Sequence, residues 1–130
     1  MTSTFKTSCI NINGEFISIF TEEILPKISI GEMILTERID AQNLRLRERK
    51  AGYTADWHVA GDPTLIIIQS GVLRITLQNG DSMDFEAGEL FIAKDYLADN
   101  ITFDKTIHGH QASVVSNETL RVVHIKLSYL

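Results

Sequence analysis

The chain has 130 residues, of which 44% are hydrophobic and 22% are charged. This composition is typical of one globular domain and excludes a disordered tail, a collagen-like fibre and a coiled coil. Twelve Lys and Arg residues against 17 Asp and Glu leave a formal net charge of −5, so the chain lacks the basic surface that nucleic acids require and we expect no nucleic-acid partner. The single cysteine, Cys9, excludes an internal disulfide and a cysteine-based zinc site.

The chain also lacks the apolar segments that direct proteins to membranes. No apolar run approaches the ~18 residues that a membrane-spanning helix needs. Residues 1–13 contain neither the apolar stretch nor the small-residue cleavage site of a secretory signal. We therefore predict a cytoplasmic protein with no membrane partner.

Hydrophobic residues recur with period two along most of the chain, which is the pattern of half-buried strands. In Leu73, Ile75 and Leu77 this pattern places three apolar side chains on one face, and Asn79-Gly80 then predicts a hairpin. Similar patterns predict strands, in chain order, at residues 16–20, 28–35, 44–49, 65–68, 72–77, 90–93, 112–115 and 120–127.

Two segments are less regular. Residues 37–50 are also compatible with a helical turn. Residues 94–109 form the longest connection, in which we predict a short strand at residues 101–103, and loops of this length are often functional. Many short strands separated by Gly, Asn and Asp turns indicate an antiparallel sandwich or barrel.

The spacing of several Gly and His residues resembles the cupin family. The first cupin motif is written G(X)5HXH(X)3,4E(X)6G. Five residues separate Gly52 from His58, as the motif requires, and Gly71 closes it. Gly88 opens a second motif if residues 95–108 contain an insertion. The pairs Trp57-His58 and Gly109-His110 resemble those of small bacterial single-domain cupins.

The resemblance implies an all-β fold, a single cupin-type antiparallel β-barrel of the jelly-roll type. We divide the single domain 1–130 into N-terminal strands, residues 1–43, and a barrel core, residues 44–128. The resemblance also implies dimers packed through their sheets. The apolar segment 4–35 is the predicted dimer contact, since covering open sheet edges removes exposed backbone groups.

Cupins that hold a metal generally use three histidines and one glutamate. Here the resemblance assigns two of those four positions to His58 and His110, whereas Ala60 and Thr64 occupy the other two. His108 would add a third ligand if it shared a strand face with His110. We predict that no cofactor is required, with a divalent metal at His58, His108 and His110 as the alternative.

We predict a small-molecule-binding cupin, an enzyme that uses acid–base chemistry on a carbonyl-bearing metabolite in the barrel lumen. Isomerase, cyclase and decarboxylase chemistry all stay open. A non-catalytic ligand-binding or regulatory module is the first alternative, and a metal-dependent isomerase or dioxygenase with an incomplete ligand set is the second. A barrel whose lumen is filled and serves only dimerisation is a third.

Seven residues are the candidates for this site. The predicted catalytic residues are His58, His110 and Tyr96, with residues 94–109 as a partial lid. The predicted ligand-binding residues are Trp57, Tyr53, Thr64 and His108. Histidine is proposed as the proton carrier because it titrates near neutral pH. Asp95 shows no partner in the sequence, and His124 is interpreted as structural.

Overall fold

The structure, a computed structural model, describes residues 4–130. Its strands are β1 (Thr4–Ile12), β2 (Ser18–Pro26), β3 (Ile28–Ile30), β4 (Met33–Leu35), β5 (Ala41–Arg49), β6 (Thr64–Ser70), β7 (Leu73–Leu77), β8 (Ser82–Phe85), β9 (Leu90–Ala93), β10 (His110–Val114) and β11 (Leu120–Leu127). Over these residues no helix is long and apolar enough to span a membrane. The parts of the predictions for segments 1–13 and 1–43 that concern residues 1–3 lie outside the described residues.

The strands form two main sheets and a separate hairpin. The large sheet has the order β2-β1-β9-β6-β11-β5, the small sheet has the order β10-β7-β8, and β3 pairs with β4. From β6 onward the chain passes repeatedly from one main sheet to the other. This exchange of strands between two sheets is typical of a jelly roll, so the predicted all-β fold is confirmed.

The core lies between the two main sheets and is built from the apolar side of each period-two pattern. Leu73, Ile75 and Leu77 of the small sheet are buried, as their alternation predicts. The rings of Phe85 and Phe91 stack across the interface, with centroids 4.3 Å apart. Close packing of this kind fixes the two sheets relative to each other and so fixes any site between them.

Three predicted elements differ from the observed ones. Residues 37–50 are not helical, because β5 pairs with β11 along its length. Residues 28–35 form the hairpin β3–β4 rather than one strand, with the turn at Gly31. Residues 101–103 form no strand and belong to a loop closed by turns, such as the hydrogen bond from the Ile107 N–H to the Asp104 carbonyl.

Candidate functional site

The site begins where the segment before β6 lies along β10. The backbone N–H of His58 donates to the carbonyl of His110 at 3.0 Å, and the reciprocal bond measures 2.9 Å. Gly109 makes this close approach feasible, because a Cβ there would lie 2.5 Å from the His58 carbonyl oxygen. The φ of Gly109 is also +88°, which side-chain-bearing residues rarely adopt. The pairing places the rings of His58 and His110 together, with centroids 4.5 Å apart.

Behind His110 lies a carboxylate without solvent contact. Asp95 is 0% exposed and accepts three hydrogen bonds. The donors are the Nδ1 of His110 at 2.8 Å, the hydroxyl of Ser18 at 2.6 Å and the backbone N–H of Ala60 at 3.1 Å. Burial by itself would raise the Asp95 pKa, but these hydrogen bonds and the proximity of His110 outweigh it and hold the pKa below its usual value. Asp95 is therefore an ionised carboxylate at neutral pH.

The partners of the two histidines determine which ring nitrogen each offers. An ionised Asp95 only accepts, so the Nδ1 of His110 carries a proton and donates to it. The Nδ1 of His58 lies 2.7 Å from the carbonyl oxygen of Asp56, which also only accepts. Both rings are thus held with Nδ1 protonated, and Nε2 is the nitrogen left for a ligand. Burial, followed by the proximity of His110, holds the His58 pKa below its usual value, so its Nε2 is an acceptor at neutral pH.

The two rings line a cavity of about 320 Å³ between the main sheets. This volume falls within the ~300–1,000 Å³ of small-molecule sites. Side chains of both sheets, together with Ala55 of the segment before β6, supply an apolar lining, and the sheet residues are Ile66, Leu73, Ile75, Phe91, Ala112, Val114, Leu120 and Val122. A cavity of this composition suits a small organic molecule with an apolar body.

Most polar groups of the cavity belong to two sets, which we call the histidine wall and the arginine wall. The histidine wall consists of His58 and His110, with Asp95 behind them. The arginine wall consists of Arg47 and Arg49 of β5, which belongs to the large sheet. Because strand residues alternate, these arginines share the inner face of β5 and lie opposite Val122 and Leu120 of β11.

The two arginines are held differently. The guanidinium of Arg49 lies over the ring of Tyr53, 4.5 Å from its centroid. Among residues 4–130 no carboxylate forms an ion pair with Arg47. His124 of β11 also reaches the cavity, and burial, followed by the positive charges of Arg47 and Arg45, lowers its pKa to about 4. His124 is therefore neutral at pH 7, and the permanent positive charge of the cavity comes from the arginines.

The structure brings together three of the seven predicted site residues. His58, His110 and Tyr53 line the cavity, whereas Trp57, Tyr96, Thr64 and His108 do not. Thr64 lines a neighbouring depression with Arg45 and Lys126. Tyr96 is 45% exposed, and no contact places its phenol near either histidine. The roles predicted for the residues outside the cavity have no geometric support.

His108 does not join the other two histidines. Its ring is buried, its Nδ1 accepts the backbone N–H of Asp104 at 2.9 Å, and its centroid lies 6.2 Å from that of Phe103. The strand rule that predicted a shared face fails because Gly109 has a positive φ and β10 begins only at His110. Over the described part of the chain no three His, Cys, Asp or Glu side chains are grouped to hold a metal. The donor set at His58 and His110 does not fit a metal, which normally has three or more protein ligands.

Sequence reasoning missed Asp95 and the arginine wall. Asp95 comes just after the apolar run 90–93, and a carboxylate in that position faces either solvent or a buried partner. In the sequence, the alternation of Arg45, Arg47 and Arg49 with Leu44 and Leu46 is typical of a solvated strand face. The same alternation fits a cavity wall, because period two predicts which side chains share a strand face but not whether solvent or a cavity lies next to that face.

Comparisons with known proteins show what the fold resembles. No family model and no curated protein sequence matches the chain. Among solved structures, ToxT from Vibrio cholerae superposes with a TM-score of 0.51 and 15% identity over 68% of this chain. The aligned part is 31% of ToxT, so the chain spans about a third of the length of that protein.

Two cupin domains are also similar. The Schizosaccharomyces pombe Cnp3 cupin domain is 12% identical over 98% of this chain and 85% of its own, with a TM-score of 0.48. A cupin domain from Bordetella pertussis is 15% identical over 70% and 88%, with a TM-score of 0.45. These scores are low, so the fold argument rests on the sheet topology described above. By that topology the chain has an all-β, cupin-type jelly-roll fold, as the Gly and His spacing predicts.

Proposed function

We propose that the chain binds a carbonyl-bearing small molecule between the histidine and arginine walls and moves a proton on it. The observation that carries this proposal is the arrangement of Asp95, His110 and His58. A buried carboxylate holds one imidazole in a fixed tautomer, and a second imidazole lies 4.5 Å away at the same cavity. Two titratable groups that converge on one point are what an acid–base enzyme needs and a simple binding module does not.

Each residue has a distinct part in the proposed step. The Nε2 of His110 accepts a proton from the carbon next to the substrate carbonyl, and the electron pair of that C–H bond moves onto the carbonyl oxygen. Asp95 is a positioning residue, because it fixes the tautomer and faces the positive charge that His110 gains. His58 offers a second neutral Nε2 at the same cavity, and return of the proton completes the exchange without any cofactor.

The cavity supports binding independently of catalysis. It is open rather than filled by side chains, which argues against a barrel kept only for dimerisation. ToxT, which shares the fold, has been solved bound to (E)-4-(8-methylnaphthalen-1-yl)but-3-enoic acid. An apolar cavity with a few polar groups is suited to such an organic molecule.

Proton exchange in D2O tests the catalytic part. The purified chain is incubated with a panel of ketones, aldehydes and 2-oxo acids, and proton NMR follows the loss of signal at the carbon next to the carbonyl. For an active compound, His110→Gln and His58→Gln should each slow exchange by about 10²–10⁴-fold. His108→Gln is the control, since His108 lies outside the cavity.

Two results would contradict the proposal. If His110→Gln exchanges as fast as the unaltered chain, His110 is not the proton carrier. If compounds bind but none exchanges, the chain is a ligand-binding or regulatory module. Circular dichroism of each variant shows whether the fold is kept.

We further infer that the chain forms a homodimer in the cytoplasm, as the sequence predicts. Large apolar side chains are exposed on the N-terminal strands and on the outer face of β5, among them Ile24, Ile30, Met33, Leu44 and Leu46. β2 and β5 are the edges of the large sheet, and a second copy would cover them. Sedimentation at micromolar concentration should give twice the monomer mass, and a monomer mass would contradict this inference.

A further inference from the structure

The arginine wall has no part in the proton-transfer step. Arg47 and Arg49 lie among apolar side chains on the inner face of β5, and Arg47 forms no ion pair among residues 4–130. An arginine keeps its charge at every physiological pH. The outer face of β5 differs in this respect, because Glu48 there forms an ion pair with Arg121 at 2.9 Å.

The cavity is positive although the chain is negative overall. None of the residues that line it is acidic. The carboxylate of the histidine wall, Asp95, is buried behind His110 and already accepts three hydrogen bonds. A net charge of −5 over the chain therefore coexists with two guanidinium groups at one cavity, neither of which forms an ion pair with a carboxylate among residues 4–130.

We propose that the ligand of this cavity is an organic carboxylate, with its charged group on Arg47 and its apolar body along the lining between the sheets. A guanidinium binds a carboxylate through two parallel hydrogen bonds, which gives both affinity and orientation. Arg47 is the anchor and Arg49 is secondary, because Arg49 already stacks on Tyr53. The proposal depends on the proposed function only in placing the ligand in this cavity, and not on proton transfer.

A carboxylate is favoured over a free phosphate by the rest of the lining. Nine of the lining side chains are apolar, and they would lie against a phosphate without offering a donor. With its charged end on the arginine wall, an organic acid would extend its body toward the histidine wall. A 2-oxo acid or a keto acid combines the carboxylate with the reactive carbonyl of the proposed step.

Calorimetric titration with a matched pair of probes tests the inference. 4-Phenylbutanoate and 4-phenylbutanamide have nearly the same shape, and only the first carries a charge. The unaltered chain should bind the carboxylate roughly tenfold or more tightly than the amide, the size expected for a charge-assisted hydrogen bond. Arg47→Gln should remove most of that difference, because it should weaken carboxylate binding far more than amide binding.

The neighbouring arginine supplies the control. Arg45 lies on the same strand and the same face as Arg47 but does not line the cavity; it lines only the neighbouring depression, which Arg47 also borders. Arg45→Gln makes the same change in net charge as Arg47→Gln. Because Arg45 lies outside the cavity and solvent screens its charge, this variant should alter carboxylate affinity by less than about threefold. Melting temperatures of both variants equal to that of the unaltered chain show that neither substitution unfolds it.

Three results would overturn the inference even if the carboxylate binds. They are equal binding of the two probes, equal effects of Arg47→Gln and Arg45→Gln, and binding of inorganic phosphate as tightly as 4-phenylbutanoate. Absence of carboxylate binding at millimolar concentration would overturn it as well. Because the titration involves no turnover, carboxylate binding without proton exchange would refute only the catalytic proposal, and exchange on neutral ketones alone would refute only this one.

Discussion

The two walls of the cavity hold their polar groups in opposite ways. On the histidine wall, Asp95 is fully buried, its three donors are fixed, and the Nδ1 atoms of both histidines are engaged. On the arginine wall, the side chains are exposed, and Arg47 has no ion-pair partner among residues 4–130. Proton transfer needs groups held in a fixed geometry, whereas binding of an anion needs a positive charge on a side chain that is accessible to the ligand.

This difference predicts how substitutions on each wall should affect stability and ligand binding. A change on the histidine wall leaves a buried polar group without its partner, which costs stability as well as chemistry. A change on the arginine wall should affect ligand binding far more than stability, since an exposed arginine contributes little to folding.

Asp95→Asn should have the largest effect. The amide cannot accept from Ser18, Ala60 and His110 as an ionised carboxylate does, and its own N–H groups favour the wrong tautomer of His110. We expect about 10²–10⁴-fold slower proton exchange, and a loss of about 1–3 kcal/mol in the free energy of unfolding. Urea denaturation and the D2O exchange assay measure the two.

Asp84→Asn is the matched control for Asp95. Asp84 also binds a basic side chain, Arg74, at 2.7 Å, but both are exposed. Loss of an exposed pair costs about 0–1 kcal/mol. Equal destabilisation by the two variants would show that burial of Asp95 is not what distinguishes the histidine wall.

Gly109→Ala should separate the paired segments of the histidine wall. The added Cβ would lie 2.5 Å from the His58 carbonyl oxygen, so the backbone of residues 52–58 must move. Gly88→Ala is the control, because Gly88 has a φ of +89° with nothing within 4 Å. Both variants bear the cost of a left-handed residue, about 1–2 kcal/mol, and thermal melting should show a further loss only for Gly109→Ala.

The stability of the chain should fall as the pH is lowered from 6.5 toward 4. His124 has a pKa lowered to about 4, and the His58 pKa is also lowered, so in this range the unfolded state binds more protons than the folded state. Urea denaturation at several pH values measures the slope, and His124→Gln should reduce it. A slope unchanged by His124→Gln would contradict the shifted pKa.

A second loss should follow at lower pH. The Asp95 pKa lies below its ordinary value of 3.8, so its contribution to stability is complete above that pH and disappears as the pH falls through the lower native value. In Asp95→Asn this second loss should be absent, whereas the loss between pH 6.5 and 4 should remain.

Tyr53→Leu should have the smallest effect. It removes the ring beneath Arg49 and so makes Arg49 resemble Arg47. A double-mutant cycle with Arg49→Gln should give a coupling energy of about 0.5–1 kcal/mol, the range for an exposed cation–π pair. A coupling energy of zero would mean that the two arginines do not differ in the way they are held.

Much of the fold could be predicted from the sequence because local patterns determine it. The alternation in Leu73–Leu77 and the turn at Asn79-Gly80 appear in the structure as a strand and a hairpin. Strand β1 (Thr4–Ile12) was not predicted individually, because Lys6, Thr7 and Ser8 interrupt its apolar pattern. Its formation depends on pairing with β2, the next strand in the chain, and with β9, which lies far along the chain.

The sequence by itself determined the strand period, the turns and the Gly–His spacing that places His58 and His110 in one cupin-type pattern, since these follow from residues close to one another in the chain. Only the tertiary structure decided that Asp95 is ionised beneath His110, that His108 faces the loop, and that Arg47 faces a cavity. Those facts depend on which strand lies opposite which, and Ser18 and Asp95, separated by 77 positions, come within 2.6 Å only when the sheets assemble. The ionisation of a buried carboxylate depends on its hydrogen-bond donors, and those donors come together only when the chain folds.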